Sequence, residues 1–267
     1  MMNAGIQELK EGAVSRPSND RVFIEVRDLQ KSFGRQHVLR GVDLTVYRGE
    51  TLVLIGPSGE GKTVLMKHFI GLLKSDSGSV IVDGVSVNGL RERQLAPTRK
   101  KFGFLFQNAA LFDAMTVAEN VAFPLVEAGI RDRAEIARRV HDALEVVDLQ
   151  EHKTKLPVNL SGGMRKRAGI ARSVVANPQC VLYDEPTASL DPVVADVIDQ
   201  LIMRLQRRFQ VTSIVVTHDM KSVFKIANRV AMLKDGVIHF CGTPDELRNS
   251  PDSGIQDFIE GRSHLEG

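Results

Sequence analysis

Short, uninterrupted apolar runs alternate along the chain with longer segments in which apolar and polar residues mix. The runs at 51–55, 181–183 and 213–217 contain few polar positions, which is typical of strands buried on both faces. The predicted helices between and after these runs are 64–73, 192–208 and 220–227. Strands that alternate with helices predict an α/β fold whose mainly parallel sheet is covered by helices on both faces.

Additional β-rich segments lie on either side of the first buried run and its helix. Two precede it, at 22–26 and at 38–46, and Gly41 is predicted to interrupt the second. Two more follow, at 80–82 and 102–106, with a turn at Asp83-Gly84 between them.

The middle of the chain, about 108–176, is predicted to be helical. Within 132–147, apolar residues recur at steps of three and four, which is the spacing of one helix face. These residues are Ile136, Val140, Leu144 and Val147. The simplest architecture is one α/β core with an inserted helical subdomain, preceded by a tail at 1–20.

Composition and charge exclude several classes of protein. The 267 residues carry a net charge of only +2, so no nucleic-acid partner is expected. The two cysteines, Cys180 and Cys241, lie far apart and form neither a disulfide framework nor a zinc motif. No segment is long and apolar enough to cross a bilayer or to act as a signal peptide. We therefore expect a cytoplasmic protein that reaches a membrane only through a partner.

The first buried strand runs directly into a glycine-rich segment at 56–63 that fits the pattern G-x-x-x-x-G-K-[ST] in full. Glycines allow a tight turn in which successive N–H groups point at phosphate oxygens, and the next helix adds its positive N-terminal end. Lys62 is predicted to reach the terminal phosphates and Thr63 to bind Mg²⁺. The complete predicted set is Gly56, Pro57, Ser58, Gly59, Glu60, Gly61, Lys62, Thr63 and Val64.

A second apolar strand ends in two adjacent carboxylates, Asp184 and Glu185. Asp184 at the strand tip suits Mg²⁺, directly or through water, and Glu185 suits the role of a base that accepts a proton from an attacking water. Two neighbouring acids with different roles favour hydrolysis over transfer to a second substrate.

The segment Leu160-Ser161-Gly162-Gly163-Met164 closely resembles the LSGGQ signature of ABC ATPases, with Met164 in place of glutamine. The other family motifs are matched, in the usual order, by Phe33 (adenine-stacking aromatic), Gln107 (Q-loop), Ser189-Leu190-Asp191 (D-loop) and His218 (switch histidine). The resemblance covers roughly 21–247, and several motifs in one order are far more specific than any of them alone.

The resemblance implies a nucleoside-triphosphatase core with an antiparallel β subdomain and an inserted helical subdomain. It also implies a head-to-tail homodimer in which two ATP molecules, with Mg²⁺, are enclosed between the phosphate loop of one subunit and the signature of the other. Residues 248–267 are then a C-terminal extension of this domain.

Individual roles follow from the resemblance together with the chemistry of the side chains. Thr63, Asp184 and Gln107 are expected to organise Mg²⁺, with Glu185 as the general base and His218 at the γ-phosphate. Phe33 and Val38 are placed at the nucleotide. The residues implied to act on the partner's nucleotide or across the dimer interface are Ser161, Gly162, Gly163 and Asp191. Taken alone, 160–167 would indicate only a Ser-capped helix start with three cations, at Arg165, Lys166 and Arg167.

The client of such an ATPase is predicted to be a membrane transporter. In transporters of this family the groove beyond the Q-loop receives a short helix of the permease, and apolar Leu111, Phe112 and Met115 suit that contact. The run ALFDAMTVAENVAFPL, with the LSGGM signature, looks most like the ATPase subunits of Mla-type lipid transporters. Such a resemblance implies permease subunits, an MCE substrate-binding protein, accessory subunits, and a place at the cytoplasmic face of a bacterial inner membrane.

Two alternatives stay open. The N-terminal half, including 31–34 and 38–39, is equally similar to amino-acid importer ATPases, so the same enzyme could drive another import system. A soluble ABC ATPase that acts in assembly or repair is the third hypothesis. The C-terminal extension is too short to form a domain, and Phe258 and Ile259 are predicted to dock on the partner subunit unless the extension is only a frayed tail.

Overall fold

The computed structural model describes residues 22–262. The predicted tail at 1–20 and the last five residues of the C-terminal extension lie outside the described residues. The strands are β1 Val22–Phe33, β2 Gln36–Tyr47, β3 Thr51–Ile55, β4 Ser77–Val82, β5 Val85–Ser86, β6 Phe102–Leu105, β7 Cys180–Asp184, β8 Thr212–Val216, β9 Arg229–Lys234 and β10 Val237–Gly242. The helices are α1 Lys62–Phe69, α2 Glu92–Arg99, α3 Val117–Glu127, α4 Arg133–Val146, α5 Gly162–Val174, α6 Pro192–Phe209, α7 Met220–Ile226, α8 Pro244–Arg248 and α9 Ser253–Glu260.

The central sheet has six strands in the order β10-β9-β3-β8-β7-β6. Neighbouring strands are parallel throughout except for the edge strand β10, which pairs antiparallel with β9. β3, β8 and β7 are adjacent, so their carboxyl ends meet at one edge of the sheet. This confirms the α/β fold class, with a mainly parallel sheet.

Side chains of the central strands alternate between two hydrophobic cores. Val53, Val181 and Val215 belong to the core shared with α3 to α6, and their neighbours Leu52, Leu182 and Ile214 belong to the core shared with α1 and the antiparallel sheet. All six are fully buried. Because both faces are covered, these strands lack the polar positions of a half-exposed strand, which explains their continuous apolar runs.

A separate antiparallel sheet with the order β2-β1-β4-β5 packs beside the core. The predicted interruption at Gly41 is wrong, because β2 continues through it. Gly41 instead lies at a shift in the β1–β2 register, between the Leu29–Val42 and Gln30–Arg40 pairs, with φ of +109°. A β-bulge therefore replaces the expected break. The turn at Asp83-Gly84 closes the β4–β5 hairpin, and α2 between β5 and β6 was not predicted.

The region from 108 to 176 holds three α-helices and two short 3-10 turns, Gln150–His152 and Pro157–Asn159. α3 and α4 begin at side-chain caps that accept from backbone N–H groups, Thr116 from Glu119 and Asp132 from Ala134. α5 packs against α3, α4 and β6, and so connects this helical region to the sheet.

The last two helices of the described residues, α8 and α9, are short. Phe258 and Ile259 of α9 are partly buried and pack against the core of their own chain. The docking of these two side chains on a partner subunit stays a prediction. Part of their surface is already covered by their own chain. Within residues 22–262, no helix is both long and apolar enough to cross a membrane.

Candidate active site

The candidate site lies where three neighbouring strands end. The phosphate loop follows β3, Asp184 and Glu185 lie at the end of β7, and His218 follows β8. Leu54 and Asp184 both pair with Val216, so the three strand ends lie at the same level. The order of the strands thus brings together residues that are more than 150 positions apart in sequence.

At two positions of the phosphate loop there is no room for a Cβ atom. Gly56 has φ of +138°, and a Cβ atom there would lie 2.0 Å from the carbonyl oxygen of Leu233. Gly61 has φ of +97°, and its Cβ would meet the Val38 side chain at 2.6 Å. The structure thus places Val38 directly beside the loop. By contrast, a Cβ at Gly59 would meet nothing within 4 Å, because this part of the loop faces open space.

Lys62 at the start of α1 donates from Nζ to the carbonyl oxygens of Gly56 and Pro57, at 2.7 and 2.8 Å. Burial lowers the pKa of Lys62, although the nearby carboxylates of Glu185, Glu60 and Asp184 oppose that shift. The ammonium is therefore held over the loop by weak neutral acceptors, which a phosphate oxygen can displace.

Thr63 and Asp184 form the pair expected to organise Mg²⁺. The Thr63 hydroxyl donates to the two carboxylate oxygens of Asp184, at 3.2 and 3.4 Å. Burial raises the pKa of Asp184, the hydrogen bond from Thr63 lowers it, and the charge of Glu185 raises it further. A divalent cation at this position would favour the ionised carboxylate.

Glu185 is joined to His218, whose Nδ1 lies 3.0 Å from Glu185 Oε1. An ionised carboxylate only accepts, so Nδ1 carries the proton in this contact and Nε2 is left for another group. The His218 side chain is 70% exposed, whereas that of Glu185 is 16% exposed. Among residues 22–262, Glu185 Oε2 is buried and has no hydrogen-bond partner.

Gln107 lies just beyond β6, and its side chain is exposed. Within the described range 22–262 its amide makes no hydrogen bond, so the structure does not join it to Thr63 or Asp184. Its carbonyl oxygen instead accepts from Lys166 Nζ, at 2.5 Å. Gln107, Gly162, Lys166 and Leu190 line a cavity of about 280 Å³ between α5 and the loop that follows Glu185.

The signature segment forms the start of α5. Ser161 is the exposed N-cap residue and accepts from the backbone N–H of Met164 at 3.2 Å. Gly162 and Gly163 follow it in the first turn, where a Cβ at Gly163 would lie 2.4 Å from Val194 of α6. In the described part of the chain Ser161 has no hydrogen bond to the phosphate loop.

The three cations after the signature do not act as one group. Arg165 donates to the carbonyl of Leu160, whereas Arg167 turns away to the end of α4 and donates to Val147 and Asp148. Lys166 is buried between the Gln107 and Glu185 backbones. Burial lowers the pKa of Lys166 to about 8, against the opposing charges of Glu185 and Asp184. The sequence pattern could not separate these three destinations.

Phe33 and Asp191 lie at the edges of the site. Phe33, the last residue of β1, is 47% exposed, and Lys31 Nζ lies 5.5 Å from the centre of its ring. Asp191 is the N-cap of α6 and accepts from the backbone N–H groups of Val193 and Val194. Asp191 thus has a local structural role in addition to its predicted place at an interface.

A buried polar network that sequence reasoning missed supports the His218 loop. Ser222 Oγ contacts Asp199 of α6 at 2.9 Å and Asp219 at 3.1 Å, and Asp219 caps α7 directly after His218. Asp199 is only 4% exposed, and desolvation raises its pKa to about 6. Asp199 lies on the buried face of an amphipathic helix, which is the one signal in the sequence that could have singled it out.

Replacing Asp199 with asparagine is expected to stabilise the protein at pH 8. The folded state binds the Asp199 proton below about pH 6, and an unfolded chain binds it only below about pH 4, so the wild type loses stability as the pH rises between these values. Asparagine removes that loss, which we expect to raise the free energy of unfolding at pH 8 by on the order of 1–3 kcal/mol. Urea unfolding between pH 4 and pH 8 measures it.

Asp196 provides the matched control on the same helix. It is exposed, and its pKa is lowered by Lys225, with which it forms an ion pair. Asp196→Asn should therefore give no gain at pH 8. If Asp199→Asn raised the free energy of unfolding by the same amount at pH 4 and at pH 8, the explanation by a buried charge would be contradicted.

The residues present fit a magnesium-bound triphosphate. The loop supplies N–H groups and a lysine around an open space, and Thr63 with Asp184 supplies a hydroxyl and a carboxylate, both hard oxygen ligands. Among residues 22–262 no cluster of three or more histidine, cysteine, aspartate or glutamate side chains could hold a metal alone.

Comparison with known proteins gives consistent results. The family model described as "ABC transporter" matches residues 39–188, which is more than half of the chain. A probable ribonucleotide transport ATP-binding protein, mkl of Mycobacterium tuberculosis, is 40% identical over 241 residues, covering 90% of this chain and 67% of that protein. The methionine import ATP-binding protein MetN of Rhizobium johnstonii is 38% identical over 237 residues, covering 89% and 65%.

Solved structures agree with the fold. A dimer of the ATP-binding cassette MJ0796 in a post-hydrolysis state, bound to ADP and phosphate, superposes with a TM-score of 0.76 at 31% identity, covering 83% of this chain and 98% of that one. The cbiO1 protein of Clostridium perfringens, part of the transporter complex cbiONQ, gives 0.80 at 30% identity, covering 86% and 92%. From these matches and the geometry of the phosphate site, we conclude that the chain belongs to the ABC transporter ATP-binding family and is an ATPase that uses ATP with Mg²⁺.

Proposed function

We propose that two copies of this chain associate head to tail and enclose two ATP molecules between the phosphate loop of one and the α5 start of the other. Ser161 is exposed and makes no hydrogen bond to the phosphate loop within residues 22–262, which supports this arrangement. The exposed helix start, with Gly162 in its first turn, offers N–H donors to an anion. A second copy supplies that anion in the form of its bound nucleotide. The MJ0796 structure is described as a dimer of this kind of cassette.

Within each half-site the phosphate loop and Lys62 hold the terminal phosphates, and Thr63 and Asp184 hold Mg²⁺. The metal supplies charge neutralisation on the phosphates that react. Gln107 would complete the metal site through its exposed side-chain amide. Phe33 and Val38 contact the base and the ribose from the antiparallel sheet, and Asp191 lies at the dimer interface.

The observation that carries the catalytic proposal is the unpaired oxygen of Glu185. Oε1 is occupied by His218, while the buried Oε2 has no partner in residues 22–262. A buried carboxylate oxygen without a donor is costly unless a polar group completes it. A water placed against Oε2 would give its proton to Glu185 as its oxygen bonds to the γ-phosphorus, while the bond from that phosphorus to the bridging oxygen breaks and ADP leaves with the electron pair. His218 Nε2 would face a γ-phosphate oxygen.

ATP hydrolysis by this dimer drives a membrane permease, which contacts the surface that follows Gln107 in the chain. Phe112 is 45% exposed there, and its ring contacts Phe123 at 4.8 Å between centroids. Asn120 fixes this surface: its side chain is fully buried, accepts from the Phe112 N–H at 2.7 Å, and donates to the carbonyls of Phe112, Met115 and Thr116. An exposed aromatic side chain on a segment held by a buried asparagine suits contact with a short helix of a membrane subunit.

The proposed cargo is phospholipid or another hydrophobic molecule, moved by an Mla-type transporter with an MCE substrate-binding protein and accessory subunits. The support is the similarity of the 110–125 segment and of the LSGGM signature to ATPases of that type. In such an assembly the subunit lies at the cytoplasmic face of an inner membrane. Amino-acid import is the second candidate, favoured by the similarity to the methionine import protein MetN.

Purification of the affinity-tagged chain from detergent-solubilised membranes of its natural host distinguishes these candidates. We expect a multi-pass permease and an MCE protein in the complex, identified by mass spectrometry. A periplasmic amino-acid-binding protein in their place would overturn the lipid proposal in favour of import. Recovery of the chain from the soluble fraction alone would contradict both.

Two substitutions make the docking surface testable. Phe112→Ser should abolish capture of the permease, because it removes the exposed ring, while ATP hydrolysis by the isolated subunit stays within about twofold of wild type. Val85→Ser removes an exposed apolar side chain from the antiparallel sheet and should leave capture unchanged.

A further inference from the structure

Helix α5 holds the loop after β6 through two buried or half-buried cations. We call residues 106–110 the Gln107 loop. Lys166 near the start of α5 donates to the carbonyl of Gln107, and Arg172 near its end donates to the carbonyls of Ala109 and Ala110, both at 2.6 Å. Three carbonyls of one short loop are therefore fixed by side chains of a single helix.

The Gln107 loop needs this support because its backbone is strained. Ala109 and Ala110 have φ of +58° and +45°, which places two successive non-glycine residues in the left-handed region. Such conformations persist only where the surroundings stabilise them. Here Arg172 supplies two contacts, beside the hydrogen bond from the Ala109 N–H to the Phe106 carbonyl at 2.8 Å, so the conformation of the loop depends in part on the position of α5.

Lys166 has a second acceptor that belongs to the catalytic carboxylate residue. Its Nζ donates to the carbonyl of Glu185 at 2.8 Å as well as to that of Gln107 at 2.5 Å, and the residue is only 5% exposed. One ammonium thus connects the segments that follow two adjacent strands, β6 and β7. Its two hydrogen bonds offset part of the cost of burying the charge.

Glu185 is itself strained, with φ of +50°. Its peptide N–H donates to Val216 of β8 at 2.9 Å, and its carbonyl accepts from Lys166. These two contacts fix the backbone on either side of the Cα atom, and so they fix the direction in which the carboxylate leaves the chain. Without the ammonium, the Val216 contact and a longer hydrogen bond from the Ala188 N–H to the Glu185 carbonyl, at 3.3 Å, would be left to hold this unfavourable conformation.

We propose that Lys166 is a positioning residue for hydrolysis, which holds the Glu185 backbone in its left-handed conformation and ties it to the Gln107 loop. The inference rests on the proposed roles of Glu185 and Gln107. Ser161 is the N-cap of α5. The same helix therefore connects Ser161, which is proposed to meet the partner's nucleotide, to Glu185, which acts on the nucleotide of its own subunit. Lys166 needs no contact with ATP for this role.

The test compares Lys166→Met, which keeps the length and removes the donors, with Lys166→Arg, which keeps a cation. For Lys166→Met we expect kcat to fall on the order of 10- to 100-fold, because the base is misplaced, while KM and the affinity for a fluorescent ATP analogue change less than about twofold. Lys166→Arg should retain more of kcat than Lys166→Met. If the methionine variant does not fold, Lys166→Gln replaces it, since its amide reaches one carbonyl.

Arg167→Met is the control, because Arg167 also donates to two backbone carbonyls from the same helix but does so at the end of α4. It should leave kcat near wild type. Equal losses in Arg167→Met and Lys166→Met, or a Lys166→Met variant that loses ATP affinity instead of kcat, would overturn the positioning role.

A double substitution separates this inference from the proposed function. If Lys166 acts through Glu185, Lys166→Met should reduce the residual rate of Glu185→Gln by less than about twofold. Full activity of Glu185→Gln would refute the base itself. An inactive Glu185→Gln together with a fully active Lys166→Met would refute only the role of Lys166.

Discussion

Glu185→Gln is expected to lower steady-state ATP hydrolysis on the order of 10²- to 10⁴-fold, which is the contribution of a general base. Glutamine keeps the shape of the side chain and a contact to His218 Nδ1, but its amide cannot accept the proton of the attacking water at the position of Oε2. The phosphate loop is unchanged, so ATP should bind as it does to the wild type. Colorimetric phosphate release and equilibrium binding measure the two effects separately.

The same variant should accumulate as a dimer in ATP, because the two copies close on nucleotide that is not hydrolysed. Size-exclusion chromatography with light scattering should show a dimer with MgATP and a monomer with MgADP.

A second substitution tests the proposed contact between Ser161 and the nucleotide of the other subunit. Asparagine and aspartate are both good N-caps, so Ser161→Asn and Ser161→Asp should each preserve α5. Only the aspartate places a negative charge against the partner's phosphates.

In the Glu185→Gln background, we therefore expect the dimer to persist with Ser161→Asn and to be lost with Ser161→Asp. Persistence of the dimer with aspartate would show that Ser161 does not face a partner's nucleotide. Wild-type turnover by Glu185→Gln alone would contradict the assignment of the base.

Lys62→Ala is expected to weaken ATP binding by on the order of 10- to 100-fold, because it removes a charge-assisted hydrogen bond to the terminal phosphates. ADP binding should weaken less than ATP binding. ADP has no γ-phosphate, so neither the wild type nor Lys62→Ala can make that contact with it. Isothermal titration calorimetry with a non-hydrolysable ATP analogue and with ADP gives both affinities.

Lys74 provides the control, an exposed lysine just beyond the end of α1. Lys74→Ala removes the same charge and should leave both affinities unchanged. If Lys62→Ala bound the ATP analogue as tightly as the wild type does, the proposed contact of Lys62 with the phosphates would be contradicted.

Local sequence was sufficient for the elements that form this site. The apolar runs of β3, β7 and β8 predicted strands covered on both faces, and the glycine and lysine pattern at 56–63 predicted the turn that the structure places after β3. These predictions succeeded because burial and backbone sterics act over a few neighbouring residues. The fold class, the ATPase activity and the use of ATP with Mg²⁺ are confirmed, while the individual residue roles stay predictions.

Other features depended on contacts that no local pattern encodes. The Gly41 bulge requires the pairing of β1 with β2, and Lys166 could not be distinguished from Arg165 or Arg167 before α5 was placed on β6. α2 was missed because its Pro97 is uncommon inside a helix and its sequence is strongly polar.

The sequence by itself determined the buried strands β3, β7 and β8, the phosphate loop, the two carboxylates and the family to which the chain belongs. Each of these features depends on a short run of consecutive residues, because burial pattern, backbone sterics and side-chain type act within that run. Only the tertiary structure decided that one oxygen of Glu185 contacts His218 while the other has no partner among residues 22–262, and that a buried ammonium connects Glu185 to the Gln107 loop. The reason is physical: strand order and helix packing set distances between residues far apart in the chain, and a hydrogen bond depends on those distances within a few tenths of an ångström.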